Sequence, residues 1–171
     1  MDDARNLLVT GKAPGLTMSI FENFNYKQSP LGFKLLVSVF LLGLSLAQGL
    51  GMTMAYIQTN VVNTSAEEYF SYLKATKLVS LSHPHFFGYA TLYFLTGLLF
   101  LFTHQNKAVK TILPGLVVFA ALLDIISWWG IKYVSSKIEI LTIGAGVIFG
   151  GGFFYMAIII FYELWFRKKV D

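Results

Sequence analysis

Residues 35–57 read LLVSVFLLGLSLAQGLGMTMAYI, a run of 23 amino acids without a charged side chain. At about 1.5 Å per residue, an α-helix of this length crosses a hydrocarbon core of about 30 Å. Three further apolar runs predict membrane spans over 84–103, 111–131 and 140–162. The sequence therefore predicts an all-α fold, an integral membrane four-helix bundle.

Composition agrees with a membrane protein and limits the number of domains. Of the 171 residues, 56% are hydrophobic and only 13% are charged, whereas soluble proteins carry roughly 25% charged residues. We predict one transmembrane domain over 35–166, preceded by a cytoplasmic or interfacial segment over 1–34 and followed by a basic tail over 167–171. Within the first segment, apolar residues over 18–24 are compatible with a short helix on the membrane surface or with a loosely held tail.

The distribution of basic residues predicts the orientation of the chain. With the amino terminus inside, nine lysines and arginines fall in cytoplasmic segments and four in outer segments. Cytoplasmic loops of membrane proteins carry the excess of positive charge, so both termini are predicted to be cytoplasmic. The connection over 58–84 then lies outside, where Ser65 is suited to cap an interfacial helix whose first turn carries Glu67 and Glu68.

Several classes of chemistry are excluded by what the sequence lacks. There is no cysteine, which excludes disulfides, thiolate metal sites and cysteine nucleophiles. Nor is there a G-x-S-x-G elbow or a phosphate-binding glycine loop. The net charge of +4 comes from basic residues that flank the spans, so nucleic acid is not an expected partner. We expect a protein embedded in the lipid bilayer, more typical of a non-catalytic subunit or accessory protein than of an enzyme.

Candidate site residues cluster at the start of the second span and in the third. His83 and His85 are two of the three histidines, and the intervening Pro84 favours a helix that begins there and leaves His83 outside it. His85 and Tyr89 share a helix face. Asp124 lies roughly 10 Å deep in the third span, where an ionisable residue indicates either a functional site or a hydrogen bond that joins helices.

These residues predict a polar pocket that faces outward. Its expected lining is His85, Tyr89, Asp124 and Ser127, with Gln48 of the first span at a similar depth. The 58–84 connection would cover it. Two imidazoles can alternatively be plain interfacial side chains, and that interpretation stays open.

The cofactor of such a pocket is unknown from sequence, and three are compatible with it. A haem b cannot be held between His85 and His104, which are about 28 Å apart on one helix. It would be bound by His85 with Met52 or Met54, by a single axial ligand, or with a histidine of a second subunit. A transition metal would use His83, His85 and Asp124. A quinone would accept a hydrogen bond from a histidine while Asp124 takes up a proton.

Other patterns suggest partners and anchors. Gly43, Ala47 and Gly51 form a small-residue face on the first span, and the fourth span is rich in glycine. Such faces let another helix approach closely, so we expect other membrane subunits or a homo-oligomer. A polar set near the opposite membrane surface is interpreted as interfacial anchors: His104, Tyr162, Glu163, Trp165 and Tyr26.

Three motifs carry a resemblance to a known group of proteins. They are LSHPHFFG at 81–88, LLDIISWW at 122–129 and YELW at 162–165. On these motifs, residues from about 35 to 166 resemble a group of small four-span bacterial inner-membrane proteins with H-x-H at the start of the second transmembrane helix. The resemblance implies the topology, the bacterial inner (cytoplasmic) membrane and the choice of site residues, but no particular activity.

The sequence as a whole predicts a small subunit or accessory protein of an electron-transfer assembly of the respiratory type. It would hold a haem, quinone or metal near the outer membrane face through His83, His85 and Asp124. One alternative is a structural or assembly subunit with no prosthetic group. Another is a metal or proton sensing or transport component that uses the same residues.

Overall fold

The computed structural model describes residues 24–167. The helix predicted over 18–24 therefore lies outside the described residues except for Phe24, as does the tail after Arg167. Four helices are long and apolar enough to cross a membrane, which confirms the predicted all-α bundle. The helices are α1 (Leu31–Tyr56, continued by a π-helical segment, Ile57–Val62), α2 (Ala66–Tyr72), α3 (Ala75–Leu101), α4 (Lys107–Tyr133) and α5 (Glu139–Trp165), with 3₁₀ turns at Tyr26–Gln28 and Ser136–Ile138.

Helices α3, α4 and α5 form the core, and α1 lies at its edge. The most extensive helix contacts join α4 to α5 and α4 to α3. Side chains such as Val117, Phe153 and Met156 are fully buried where these helices meet. By contrast, α1 packs mainly against α5 and buries only Val37 and Leu41. Most of α1 is therefore free to face lipid.

The bundle has two ends, which we name by their polar residues. The His85 end carries the starts of α3 and α5, the ends of α1 and α4, and the short helix α2. The Glu163 end carries the start of α1, the turn between α3 and α4, and the end of α5. Hydrogen bonds at both ends support this antiparallel order, since Ala66 contacts Glu139 at the first and His104 contacts Glu163 at the second.

Glycine allows α5 and α3 to approach α4 closely. A Cβ atom on Gly97 would lie 2.9 Å from Cβ of Pro114, and one on Gly152 would overlap the side chain of Val117. Glycine at these positions removes the side chain that would hold the helices apart. In contrast, Cβ positions at Gly144, Gly146 and Gly151 have open space around them.

We expect Gly152→Val to lower the free energy of unfolding by about 1–3 kcal/mol, because overpacking a tight contact displaces the neighbouring helix. The matched control is Gly151→Val, which adds the same side chain one position earlier, where nothing lies within 4 Å. Unfolding in mixed detergent micelles, followed by circular dichroism, measures both variants. Equal stability of the two variants would contradict the close α4–α5 contact.

The prediction that the second span begins at Pro84 is wrong. Helix α3 begins at Ala75 and passes through Pro84, so His83 is helical. Proline removes one backbone hydrogen bond within a helix, here the bond to the carbonyl of Ser80, which lies in an exposed turn. The added turns bury Leu78 completely and Ser82 almost completely. Packing of these side chains outweighs the local preference of proline. The predicted first, third and fourth spans lie within the observed helices.

The predicted short helix before the second span is present as α2. Ser65 is its N-cap, and its hydroxyl accepts a hydrogen bond from the backbone N–H of Glu68 at 3.0 Å. The Glu68 carboxylate in turn accepts from the backbone and hydroxyl of Thr64, each at 2.7 Å, and these bonds lower the pKa of Glu68. This reciprocal capping explains why a helix of only seven residues forms here.

Candidate functional site

His85 lies on α3 at the His85 end, where its ring is partly buried between two aromatic side chains. The ring centroids lie 5.4 Å from Tyr89 and 5.2 Å from Trp128, and both contacts are edge-to-face. Its Nδ1 is 2.7 Å from the backbone carbonyl oxygen of Leu81. A carbonyl can only accept, so the hydrogen bond assigns the proton of the neutral ring to Nδ1 and leaves a lone pair on Nε2.

Asp124 is buried behind this histidine on α4, with 6% of its surface exposed. Its carboxyl group interacts with the side chain of Trp128, whose only polar hydrogen is the indole N–H. Tyr89 and Tyr93 lie close enough to interact electrostatically with Asp124. One tryptophan therefore contacts both His85 and Asp124, the two residues that sequence favoured for the site.

A tyrosine that the sequence analysis passed over connects α3 to α1. Tyr93 is buried, stands next to Tyr89 with ring centroids 5.3 Å apart, and donates its hydroxyl to Oε1 of Gln48. The periodicity could have revealed it, because residues 85, 89 and 93 repeat every four positions. Gln48 and Met52 in turn pack at Gly150, where a Cβ atom would lie 3.7 Å from Nε2 of Gln48 and 3.6 Å from the Met52 sulfur.

Helix α2 covers the site, as predicted for the 58–84 connection. The ring of Phe70 stacks on Trp128 with centroids 5.1 Å apart and 14° between the planes. Glu139 at the start of α5 holds α2 in place, since its carboxylate accepts from the backbone N–H groups of Ala66 at 2.7 Å and Glu67 at 3.3 Å. The cover is thus tied to the bundle by a carboxylate at its N-terminus.

The structure does not bring all predicted site residues together. His83 is exposed, because it lies two positions before His85 on a helix and points to a different face. Ser127 is turned toward α5, where its hydroxyl is 2.6 Å from the Thr142 hydroxyl. Within residues 24–167, no three His, Asp or Glu side chains lie close enough to hold a metal ion. His85, Tyr89, Asp124 and Gln48 are connected to one another through Trp128 and Tyr93.

The Glu163 end contains a second polar cluster, which the sequence analysis treated as surface anchors. Glu163 is only 4% exposed. Its carboxylate accepts from the backbone of His104 at 2.8 Å, lies 2.9 Å from the ring nitrogen Nδ1 of His104 and pairs with Arg167 at 3.2 Å. Tyr26 is also buried and donates its hydroxyl to the carbonyl of Leu99 at 2.5 Å. The sequence contained one signal for this buried cluster, a glutamate near the end of an apolar helix.

Tyr26 predicts a dependence of stability on alkaline pH. Burial raises the pKa of its phenol, and the nearby Glu163 carboxylate raises it further. Above about pH 10 the unfolded chain releases this proton and the folded chain keeps it, so the free energy of unfolding falls as pH rises. The ionisation of Tyr26 lowers the free energy of unfolding by an amount that approaches about 1.4 kcal/mol per pH unit.

We expect Tyr26→Phe to have a shallower decline in stability than the parent protein between pH 10 and pH 11.5. Tyr72→Phe, which alters a side chain that is 83% exposed, should decline as steeply as the parent. Unfolding in detergent micelles at each pH provides the measurement. An unchanged slope in Tyr26→Phe would contradict the burial of this phenol.

Comparison with known proteins identifies a family for most of the chain. The model of a family described as a transmembrane helical domain matches residues 51–171. The match includes α2 to α5 and begins just before Met52, so Gln48 and most of α1 precede it. Comparisons with curated proteins and with solved structures gave no match. The match supports a small family of membrane proteins, in agreement with the resemblance found from the motifs.

Proposed function

We propose that this chain, which belongs to a family of transmembrane helical domains, acts as a membrane subunit of an electron-transfer assembly and binds a quinol headgroup beside His85. The observation that carries this proposal is the hydrogen bond from Nδ1 of His85 to the carbonyl of Leu81. It leaves Nε2 as an acceptor, and no other described residue donates to it. The ring is also partly exposed, as a residue that binds a ligand requires.

The chemistry of a quinol matches this arrangement. A quinol hydroxyl donates a hydrogen bond to Nε2, whereas the carbonyl of a quinone finds no donor there unless the ring is protonated. Oxidation of a quinol to a quinone releases two protons and two electrons. His85 accepts one proton at Nε2, Asp124 takes up the second, and the electrons pass to a redox centre in a partner subunit. Histidine suits this role because it exchanges protons near neutral pH.

Haem and a transition metal are less well supported than a quinol. His104 is bonded to Glu163 at the opposite end of α3 from His85, so the two histidines do not face one haem. Met52, the other candidate ligand, packs at Gly150 beside Gln48. A lone pair on Nε2 of His85 also suits a metal ion, but His83 is exposed on another face of α3. The binding of haem and the binding of a transition metal therefore remain predictions from the sequence.

We further propose that both termini are cytoplasmic and that the His85 end faces the outer side of a bacterial inner membrane. Support comes from the basic residues: five described ones lie at the Glu163 end and four at the His85 end, and the sequence predicts the four basic residues of the terminal segments to be cytoplasmic as well. Trp128, Trp129 and α2 at the His85 end agree with a membrane–water interface. Under this orientation, quinol protons are released toward the outer surface.

Quinol binding is tested with protein in lipid nanodiscs under anaerobic conditions, using a short-chain benzoquinol and the corresponding benzoquinone as probes. The parent protein should bind the quinol more tightly than the quinone, and His85→Ala should weaken quinol binding about tenfold, the usual value of one hydrogen bond. His83→Ala is the matched control and should bind as the parent does. Equal quinol affinity in His85→Ala and the parent would overturn the proposal.

A second candidate function is a structural subunit with no prosthetic group, favoured by the exposed small-residue face of α1. Nothing lies within 4 Å of a Cβ atom at Gly43 or Gly51. A partner helix could therefore pack there closely. This role predicts that Gly51→Leu reduces the size of the gently solubilised complex on native gels, while His85→Ala leaves it unchanged. An unchanged complex size in Gly51→Leu would contradict this role.

A further inference from the structure

A groove runs along the Glu163 end of the bundle between α1 and α5. It has a volume of about 390 Å³ and is lined chiefly by apolar side chains, among them Leu41, Leu42, Phe154, Ile158 and Phe161. Leu42, Ile158 and Phe161 are exposed, so the groove is open on its outer side. Its α5 wall extends from residue 154 to residue 166, about 18 Å at 1.5 Å per residue. This length is close to one leaflet, or half of a hydrocarbon core of about 30 Å.

Cationic groups stand at the mouth of the groove. The indole N–H of Trp165 donates to the hydroxyl of Ser38 at 2.9 Å, and Ser38 lines the groove. The ammonium of Lys34 lies 5.5 Å from the centre of the Trp165 ring, one turn before Ser38 on α1. It also donates to the backbone carbonyl of Lys27 at 2.7 Å, so the backbone of Lys27 lies beside Lys34. Within residues 24–167, neither lysine forms a salt bridge.

The start of α1 adds partial positive charge to this mouth. Its N-cap is Pro30, which makes no side-chain hydrogen bond to the first turn. In the part of the chain that the structure describes, no side chain caps the first backbone N–H groups of α1, which carry the partial positive charge of the helix start. Arg167 lies next to Phe166 at the other wall, but it is paired with the buried Glu163. Among residues 24–167, the excess positive charge shown at the mouth therefore comes from Lys34.

We propose that this groove binds one phospholipid with an anionic headgroup, with an acyl chain between α1 and α5 and the phosphate at Lys34 and Lys27. The apolar wall accounts for the acyl chain, and Lys34 and Lys27, which form no salt bridge within residues 24–167, account for the charge of the headgroup. Basic pockets between membrane helices select anionic lipids in this way. The site is at the opposite end from His85 and does not depend on the quinol proposal.

The test uses native mass spectrometry of the full chain, released from detergent with equimolar phosphatidylglycerol and phosphatidylcholine of identical acyl chains. One lysine near an anionic headgroup corresponds to a preference of about fivefold. The parent should therefore retain phosphatidylglycerol at least fivefold over phosphatidylcholine, as a single bound molecule. Lys34→Gln should reduce this preference about fivefold. Lys107→Gln, which removes a charge at the same end on α4, should retain it.

A second variant tests the groove itself and leaves every charge in place. Ser45 lines the groove, so Ser45→Phe should reduce the retained lipid of both kinds, whereas Gly43→Phe, on an open part of α1, should not. Circular dichroism checks that each variant is folded. Equal retention of the two lipids by the parent would indicate a neutral lipid, and no retention would indicate a closed groove or another occupant. Either result, or an unchanged preference in Lys34→Gln, would overturn the proposal.

Discussion

Replacing Trp128 by alanine should lower the free energy of unfolding by about 3–5 kcal/mol, the usual cost of removing a buried aromatic side chain. Trp128 is 8% exposed, stacks on Phe70 and contacts the ring of His85. Its indole N–H also interacts with the buried carboxyl of Asp124. Its removal leaves a cavity under α2 and a buried carboxyl without this contact, which adds to the loss.

The neighbouring tryptophan provides the control for this prediction. Trp129 is only partly buried and donates one hydrogen bond, to the hydroxyl of Ser82 at 2.8 Å. Trp129→Ala should therefore destabilise the protein less than Trp128→Ala in the same mixed-micelle unfolding experiment. Trp128→Phe separates the contribution of ring packing from that of the polar contact with Asp124. It keeps a ring against Phe70 and loses the indole N–H. A loss below about 1 kcal/mol in Trp128→Ala would contradict the packing described for the His85 end.

Replacing Glu163 by alanine should lower the free energy of unfolding by about 3 kcal/mol, because His104 and Arg167 lose a buried partner. The value lies at the lower end of the range for buried ion pairs because the side chains of His104 and Arg167 are 31% and 27% exposed and stay partly hydrated. The same change removes the acceptor for the backbone N–H of His104, which fixes the turn between α3 and α4.

Two further substitutions make the prediction for Glu163 specific. Glu163→Gln keeps a side-chain oxygen for the backbone of His104 and should lose less stability than Glu163→Ala. Glu67→Ala, which removes a carboxylate near the surface with one hydrogen bond from Ser71 at 3.3 Å, should change stability little. Unfolding of all three variants at pH 7 gives the comparison. A Glu163→Ala protein as stable as Glu67→Ala would show that the buried cluster does not stabilise the bundle.

The membrane spans could be predicted from sequence because their signal is long and simple. An uncharged run such as 35–57 has few structures available to it in a bilayer, where backbone groups need internal hydrogen bonds. The start of α3 was predicted wrongly because it depends on contacts with distant parts of the chain. The local preference at Pro84 is worth a few kcal/mol, and the burial of Leu78 and Ser82 against distant parts of the chain outweighs it. Such packing is not visible in a local pattern.

The candidate site was predicted in part. Asp124 could be identified because it is a charged residue deep in the third span, and His85 because it is a histidine at the boundary of the second. In the structure, Trp128 contacts both residues. Tyr93 was missed because a single buried tyrosine resembles ordinary apolar packing until its partner on another helix is known. Likewise, the burial of Glu163 depends on the turn that contains His104, 59 positions away in the chain.

The most direct test is to determine which ring nitrogen of His85 carries the proton. The chain has only three histidines, so a ¹⁵N spectrum of histidine-labelled protein can be assigned with His83→Ala and His104→Ala variants. We expect His85 to carry its proton on Nδ1 at neutral pH, and the Nε2 resonance to shift when the benzoquinol is added. A proton on Nε2, or an Nε2 resonance that does not move at saturating quinol, would contradict the proposed quinol site.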